Sequence, residues 1–306
     1  MSETIVEMQG KLMSPEEAEA MFARLAGLTL DVSNIKRKFL NCRYGEDPKQ
    51  ALDIYLPNEG TGPFPVVFYA HGGAWARGQK DDAQVVPFMD GVNRGYAIVS
   101  IGYRLVPYIR YPDNMFDIKA AMRWIAENAD SYMLDATRTA LCGSSAGAHL
   151  IMMAAYTQGQ VVFGDIPGAA KCNILAMVEQ FGPTDFAQIH ANYDESGFPR
   201  ISDPNGPSPI DPMIGVSAAS IPNLLRFYNP IDNVHPGVPP ILIQHGKKDP
   251  MVPYQQAVIL HDKINKVVGP GTAQLDISET FLHADPGYAQ DESVNRIFDF
   301  LDKYLK

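Results

Sequence analysis

Cysteine is scarce in this sequence. Its three cysteines among 306 residues, Cys42, Cys142 and Cys172, are scattered and form no C-x-x-C pair. That excludes a disulfide framework or a thiolate zinc cluster as an organising device, and leaves the cysteines as small buried apolar side chains. Positive charge is also in short supply. Lys and Arg number 25 against 35 Asp and Glu, a formal net charge of −10. Non-specific nucleic-acid binding, which needs clustered cations, is therefore not expected. No run approaches the ~18 consecutive apolar residues of a membrane span. The start, MSETIVEMQGKLMSPEEAEAMF, lacks a basic stretch followed by an apolar one, so no signal peptide is expected and the cytoplasm is the expected compartment. Also missing are a His/Cys/carboxylate cluster at ligand spacing and a G-x-x-x-x-G-K phosphate loop, so neither a metal nor an organic cofactor is expected. There is no internal repeat and no low-complexity tract.

What is there is a chain long enough to bury a large core, 46% hydrophobic and 20% charged. Ser14-Pro15-Glu16-Glu17 reads as a capping box opening a helix over 14–26. IKRKFLNCRY (35–44) and ALDIYLP (51–57) flank a polar turn and read as an antiparallel pair. Beyond them, short apolar runs at 65–70, 96–103, 138–143, 173–181, 239–246 and 272–279 read as buried strands. Helical stretches at 114–129, 146–156, 254–268 and about 290–304 alternate with them. Strands alternating with helices indicate βαβ units, so the expected fold is α/β, a mostly parallel sheet with helices on both faces. Residues 184–238, rich in Pro, Asn, Asp, Ser and Gly, fit neither pattern. They read as an irregular insertion between two strong strands.

Four segments carry chemistry. Gly143-Ser144-Ser145-Ala146-Gly147 fits G-x-S-x-G and sits between a strand and a helix, the context of a nucleophile elbow that lifts its central serine above the sheet. His71-Gly72-Gly73-Ala74-Trp75 follows a strand and matches the HGGG-type loop that supplies oxyanion donors. Alanine replaces its third glycine, which requires that the backbone avoid positive φ at Ala74. Asp249, in His245-Gly246-Lys247-Lys248-Asp249-Pro250, follows the strand PPILIQ, where catalytic groups gather in such sheets. His283, in Phe281-Leu282-His283-Ala284-Asp285, is the one histidine of seven that follows that acid in a loop after a strand. Ser145, Asp249 and His283 are thus the expected triad of nucleophile, orienting acid and general base, with the amides of Gly73, Ala74 and Ala146 as the expected oxyanion hole.

The segments HGGAWARG, SIGYRL, YPDNMFDIKAAMRWI, LDATRTALCGSSAGAHL, QFGPTDF, IQHGKKDPMVPYQQA and FLHADPG resemble those of bacterial carboxylesterases of the α/β-hydrolase fold. The likeness is to the hormone-sensitive-lipase type and the feruloyl/acetyl-esterase branch, and it runs from about residue 40 to the C-terminus. It implies the same triad on Ser145, Asp249 and His283. Departures are Ala74, Ala148 in place of a second glycine, and Gly102 where Asn or Asp often precedes Tyr-Arg.

The expected organisation is an N-terminal helical segment, 1–34, that can contribute to a lid, and a hydrolase domain, 35–306, with the insertion walling a small pocket. The expected function is hydrolysis of carboxylic esters with short-chain acyl or aromatic acid groups, through an acyl-enzyme. The expected partner is a small-molecule ester, with no nucleic acid and no membrane. Two alternatives remain: an arylformamidase or amide hydrolase of the same fold, and a non-catalytic binding protein. The sequence leaves the number of subunits open, a homodimer being one candidate.

Overall fold

Apolar runs too short for helices need neighbours on both sides, and here they find them in one sheet. In the computed structural model, which describes residues 14, 16, 29–160, 163–164, 166–197, 208 and 210–306, eight strands lie in the order β1-β2-β4-β3-β5-β6-β7-β8. They are β1 (Lys38–Arg43), β2 (Ala51–Tyr55), β3 (Phe64–Ala70), β4 (Ala97–Ile101), β5 (Leu134–Ser144), β6 (Ile174–Gln180), β7 (Ile241–Gly246) and β8 (Ala273–Ser278). β1 pairs antiparallel with β2, and β2 with β4; every other pairing is parallel. This is the expected α/β-hydrolase fold. β5 begins four residues before the apolar run suggested. Its register with β3 shifts between Pro65↔Asp135 and Val66↔Thr139, and that irregularity admits the polar residues Asp135, Thr137 and Arg138 into the strand.

Alternation decides which face each residue serves. Val66, Phe68 and Ala70 of β3 point into one core, and Val67 and Tyr69 into the other. The first core is covered by α1 (Asp113–Asn128), α2 (Ala146–Tyr156) and α4 (Gln255–Val267). The second is covered by α5 (Asp291–Leu305), through Val294, Ile297, Phe298 and Leu301, and by the turns around Val85 and Phe88. Burying both faces explains why β2, β3, β4 and β7 contain no exposed residue.

Within the irregular insertion lies α3 (Ile189–Ser196), followed by short helical turns. The helix expected over 14–26 and Phe198 in the insertion lie outside the described residues, apart from Ser14 and Glu16. Among the described residues no helix is long and apolar enough to cross a membrane.

Candidate active site

The parallel strands all end on one rim, and the turns that leave it carry the four chemical segments. β5 runs straight into α2 through Ser145, whose backbone sits at φ 51°, ψ −120°. A side-chain-bearing residue rarely adopts such a conformation, and it persists only where the surroundings over-determine it. Here they do. The Ser145 amide donates to the Gln180 carbonyl at 2.8 Å, tying the turn to β6. A Cβ on Gly147 would lie 2.1 Å from the Ala70 carbonyl oxygen, and one on Gly143 would lie 2.7 Å from the Gly147 carbonyl carbon. Both glycines of the motif are therefore demanded by close backbone approach.

The neighbouring serine has a different fate. Ser144 is fully buried. Its hydroxyl accepts from the Tyr69 hydroxyl at 3.1 Å and donates to Gln180 Oε1 at 3.0 Å. Gln180 Nε2 then donates to Gln244 Oε1 at 2.9 Å, and Gln244 Nε2 to Asp276 Oδ2 at 2.9 Å. This side-chain ladder crosses β3, β5, β6, β7 and β8 directly beneath the rim.

The loop after β3 corrects one expectation. Ala74 does adopt a positive φ, 50°, and Trp75 follows at 59°, with Gly73 at 121°. The cost is met by contacts on every side. The amides of Ala76 and Arg77 donate to the Gly73 carbonyl at 3.1 and 3.0 Å, and Val106 N donates to the Trp75 carbonyl at 3.0 Å. The buried Trp75 indole donates to His149 Nδ1 at 3.3 Å. His71 stacks on Tyr103 with ring centroids 4.3 Å apart, and the Tyr103 hydroxyl donates to the His71 carbonyl at 2.7 Å. Burial pushes the imidazoles of His71 and His149 down to about 4, so both are neutral supports.

Asp249 and His283 converge on Ser145. His283 Nδ1 lies 2.7 Å from Asp249 Oδ2, and His283 Nε2 lies 3.0 Å from Ser145 Oγ. A carboxylate only accepts, so Nδ1 carries the proton and Nε2 presents its lone pair to the serine. Asp249 Oδ1 accepts from the amides of Met251 and Val252, both at 2.8 Å. Burial by itself would raise this carboxyl, but the adjacent His283 and hydrogen bonds from His245 and His283 outweigh it and hold Asp249 below the ordinary carboxylate range. Phe181 packs edge-on against His283 at 4.8 Å. Asp285 caps the histidine's loop, accepting from the amides of Leu282 and Gly287 at 3.2 and 2.9 Å. Of the remaining histidines, His261 pairs with Asp262 and His235 accepts from the Gly237 amide.

Two hollows open from Ser145 and His283. One is a wide cleft of about 600 Å³ lined by Gly73, Ala74, Leu105 and Met251 together with the polar side chains Lys49, Arg77, Gln79, Asp82 and Gln84. The other is a narrow apolar pocket of about 60 Å³ closed by Trp75, Phe186, Ile189, Ile210, Met251 and Val252. Ala146 also lines it, and as the first residue of α2 its amide has no intrahelical partner. Three of the pocket's walls, Phe186, Ile189 and Ile210, come from the insertion. The departures from the family pattern fit this packing. A Cβ on Gly102 would lie 2.6 Å from the Lys49 carbonyl oxygen, and the Ala148 methyl occupies the space that a Cβ on Gly182 would contest at 2.7 Å.

Residues 52–264 match the family model described as BD-FAE. The chain is similar to esterase LipC of Mycobacterium tuberculosis, 28% identical over 230 residues that make up 73% of this chain and 54% of that protein. It is also similar to the probable carboxylic ester hydrolase LipM of the same organism, 30% identical over 210 residues, 68% of this chain and 46% of that one. The chain thus spans about half the length of the curated relatives it matches. Among solved structures, a truncated carbohydrate esterase from gut microbiota superposes with a TM-score of 0.76 at 24% identity, covering 90% of this chain and 98% of that one. Esterase B from Lactobacillus rhamnosis superposes with a TM-score of 0.70 at 20% identity, covering 94% and 90%. These two likenesses are of fold.

Proposed function

The chain belongs to the BD-FAE family, and from that premise we propose that it is a serine hydrolase of carboxylic esters acting through Ser145, His283 and Asp249. The observation that carries this reading is the continuous contact from Asp249 Oδ2 through His283 to Ser145 Oγ, at 2.7 and 3.0 Å. In the proposed reaction His283 Nε2 takes the Ser145 proton as Oγ attacks the ester carbonyl carbon. Asp249 holds the Nδ1–H tautomer and stabilises the imidazolium. The carbonyl oxygen gathers negative charge toward the amides of Gly73, Ala74 and Ala146, a contribution of about 3–4 kcal/mol per donor in comparable sites. The alcohol then leaves with the proton from His283, and the acyl-serine is cleaved by water activated at the same nitrogen.

The two hollows suggest how the ester is split between them. The narrow pocket suits a short acyl group, and its size argues for acetyl to butyryl rather than a hydroxycinnamoyl ring. The wide cleft suits a larger, hydroxyl-bearing alcohol. The insertion is read as a specificity wall of a single hydrolase domain, 35–306.

The test is direct. Ser145→Ala should abolish turnover of p-nitrophenyl acetate and labelling by a fluorophosphonate while the melting temperature stays within a few degrees. Labelling of that variant at the wild-type rate would place the nucleophile elsewhere.

A further inference from the structure

Beside the triad, two more ionisable side chains are sealed into the sheet. Glu179 and His245 are both fully inaccessible to solvent. Glu179 of β6 pairs in register with Ile243 of β7. His245 lies two residues further along β7 and therefore on the same face of the sheet, so the two side chains are diagonal neighbours on adjacent strands.

Valence fixes one proton. His245 Nε2 lies 2.8 Å from the Val252 carbonyl oxygen and 3.3 Å from Asp249 Oδ2. Both are acceptors, so Nε2 must carry hydrogen. The hydrogen is donated to the Val252 carbonyl, and the ring nitrogen stands beside the same Asp249 oxygen that receives the His283 Nδ1–H. Among the described residues His245 Nδ1 has no hydrogen-bond partner, and nor has Glu179 Oε1; Glu179 Oε2 accepts from the Gly182 amide at 2.8 Å. A buried glutamate with one unpartnered oxygen, beside a buried histidine with one unpartnered nitrogen, is a costly arrangement that calls for an explanation. The other ionisable groups around the pair are Tyr156 from α2, Tyr288 from the turn Pro286–Ala289, and Asp249 and His283 themselves. Burial, reinforced by the carboxylates, raises both tyrosines, so they stay neutral.

We propose that His245 and Glu179 are positioning residues that extend the triad: His245 fixes the Asp249 carboxylate, and Glu179 governs the charge behind it. The inference rests on the triad reading above. His245 ties Asp249 Oδ2 to the Val252 carbonyl and so fixes the carboxylate plane that orients His283. Glu179 acts through its charge in a low-dielectric setting, where a negative charge favours the imidazolium that forms as the serine proton is taken. Burial, only partly offset by His245 and the Gly182 amide, pushes the Glu179 carboxyl up to about 7. The charge is therefore absent in mild acid and present in mild base.

The experiment is the pH dependence of kcat/KM for p-nitrophenyl acetate between pH 5 and 9, for wild type, Glu179→Gln, His245→Gln and His245→Leu. The wild-type profile should climb in two steps, one of them near pH 7 as Glu179 ionises. The isosteric Glu179→Gln should follow wild type at pH 6 and fall about three- to tenfold behind it above pH 8, with a single step. His245→Leu should lower kcat about ten- to a hundredfold with KM within twofold, the effect of losing one hydrogen bond to a charged group. His245→Gln, which keeps a donor, should recover part of that loss. A single ionisation in wild type overturns the role given to Glu179, without recourse to any variant. Unchanged kcat in folded His245→Leu overturns the role given to His245. Failure of the triad reading itself is distinguishable, since Ser145→Ala would then keep its activity whatever the pH profiles show.

Discussion

The turns that present Ser145, Asp249 and His283 and the insertion that walls their pocket are held by different physics. The turns are held by backbone. Gly143 and Gly147 leave no room for a Cβ, the Ser145 amide is tied to β6, and the Asp249 carboxylate is pinned by the amides of Met251 and Val252. The insertion is held by side chains reaching across long stretches of sequence. Gln256 of α4, fully buried, is its main fastening. Its Oε1 accepts from the amides of Thr184 and Asp185 at 2.8 and 2.7 Å, and its Nε2 donates to the Asp185 carbonyl and to Asn192 Oδ1 at 3.1 and 2.7 Å. Asn229 adds a second fastening, accepting from the Phe186 amide at 3.1 Å and donating to Asp185 Oδ1 at 3.2 Å. On the proposed reading, the chemistry is encoded by local backbone geometry. On the same reading, specificity is encoded by a few long-range polar contacts and should be able to change without disturbing the chemistry.

That contrast is open to attack from both sides. The largest expected effect is on the rigid side. Asp249→Asn keeps an oxygen for the Met251 and Val252 amides but favours the wrong imidazole tautomer, so kcat should fall by about 10⁴-fold with little change in melting temperature. Steady-state kinetics beside thermal unfolding checks this, and a loss of less than tenfold would mean that another carboxylate orients His283.

Gln256→Leu attacks the fastening and should do the reverse. Leaving the Thr184 and Asp185 amides unpaired in a buried site should cost about 2–4 kcal/mol of stability. The kcat for acetyl esters should stay within a few-fold of wild type at temperatures where the variant is folded. Denaturant titration and kinetics on the same sample decide it: a collapse of kcat without loss of stability would erase the division between the two regions.

Glu179 offers a test on stability alone. Its folded pKa is raised, so the native state holds a proton that the unfolded chain has already released. The resulting stability is complete below the unfolded carboxyl value of about 4.3 and is lost as pH rises through about 7. The melting temperature of wild type relative to Glu179→Gln should decline between pH 5 and 8. A constant difference across that range would mean that Glu179 does not titrate there.

The smallest effect is expected within the walls. Phe186→Ala enlarges the 60 Å³ pocket, and the ratio of kcat/KM for octanoyl over acetyl esters should rise about three- to tenfold. Equal losses for both would make Phe186 a scaffold residue.

Local pattern carried much of this protein. Short continuous apolar runs determined the strands and the longer stretches between them the helices, because both depend on near neighbours in the chain. G-x-S-x-G between a strand and a helix distinguished Ser145 from Ser144, and chain order singled out His283 from six other histidines. A sequence does not say who stands across the strand, and what it left undecided belongs to that question. Ala74 at positive φ contradicts its own residue type, and only the contacts around Trp75, His149 and Val106 allow it. Gln256 looks like any polar helix residue until the insertion folds back onto it. Glu179 did leave a signal, a charge inside the apolar run NILAMVEQF. What that charge faces was decided only when β7 brought His245 alongside, because the pairing of β6 with β7 joins residues more than sixty positions apart and no local periodicity records it.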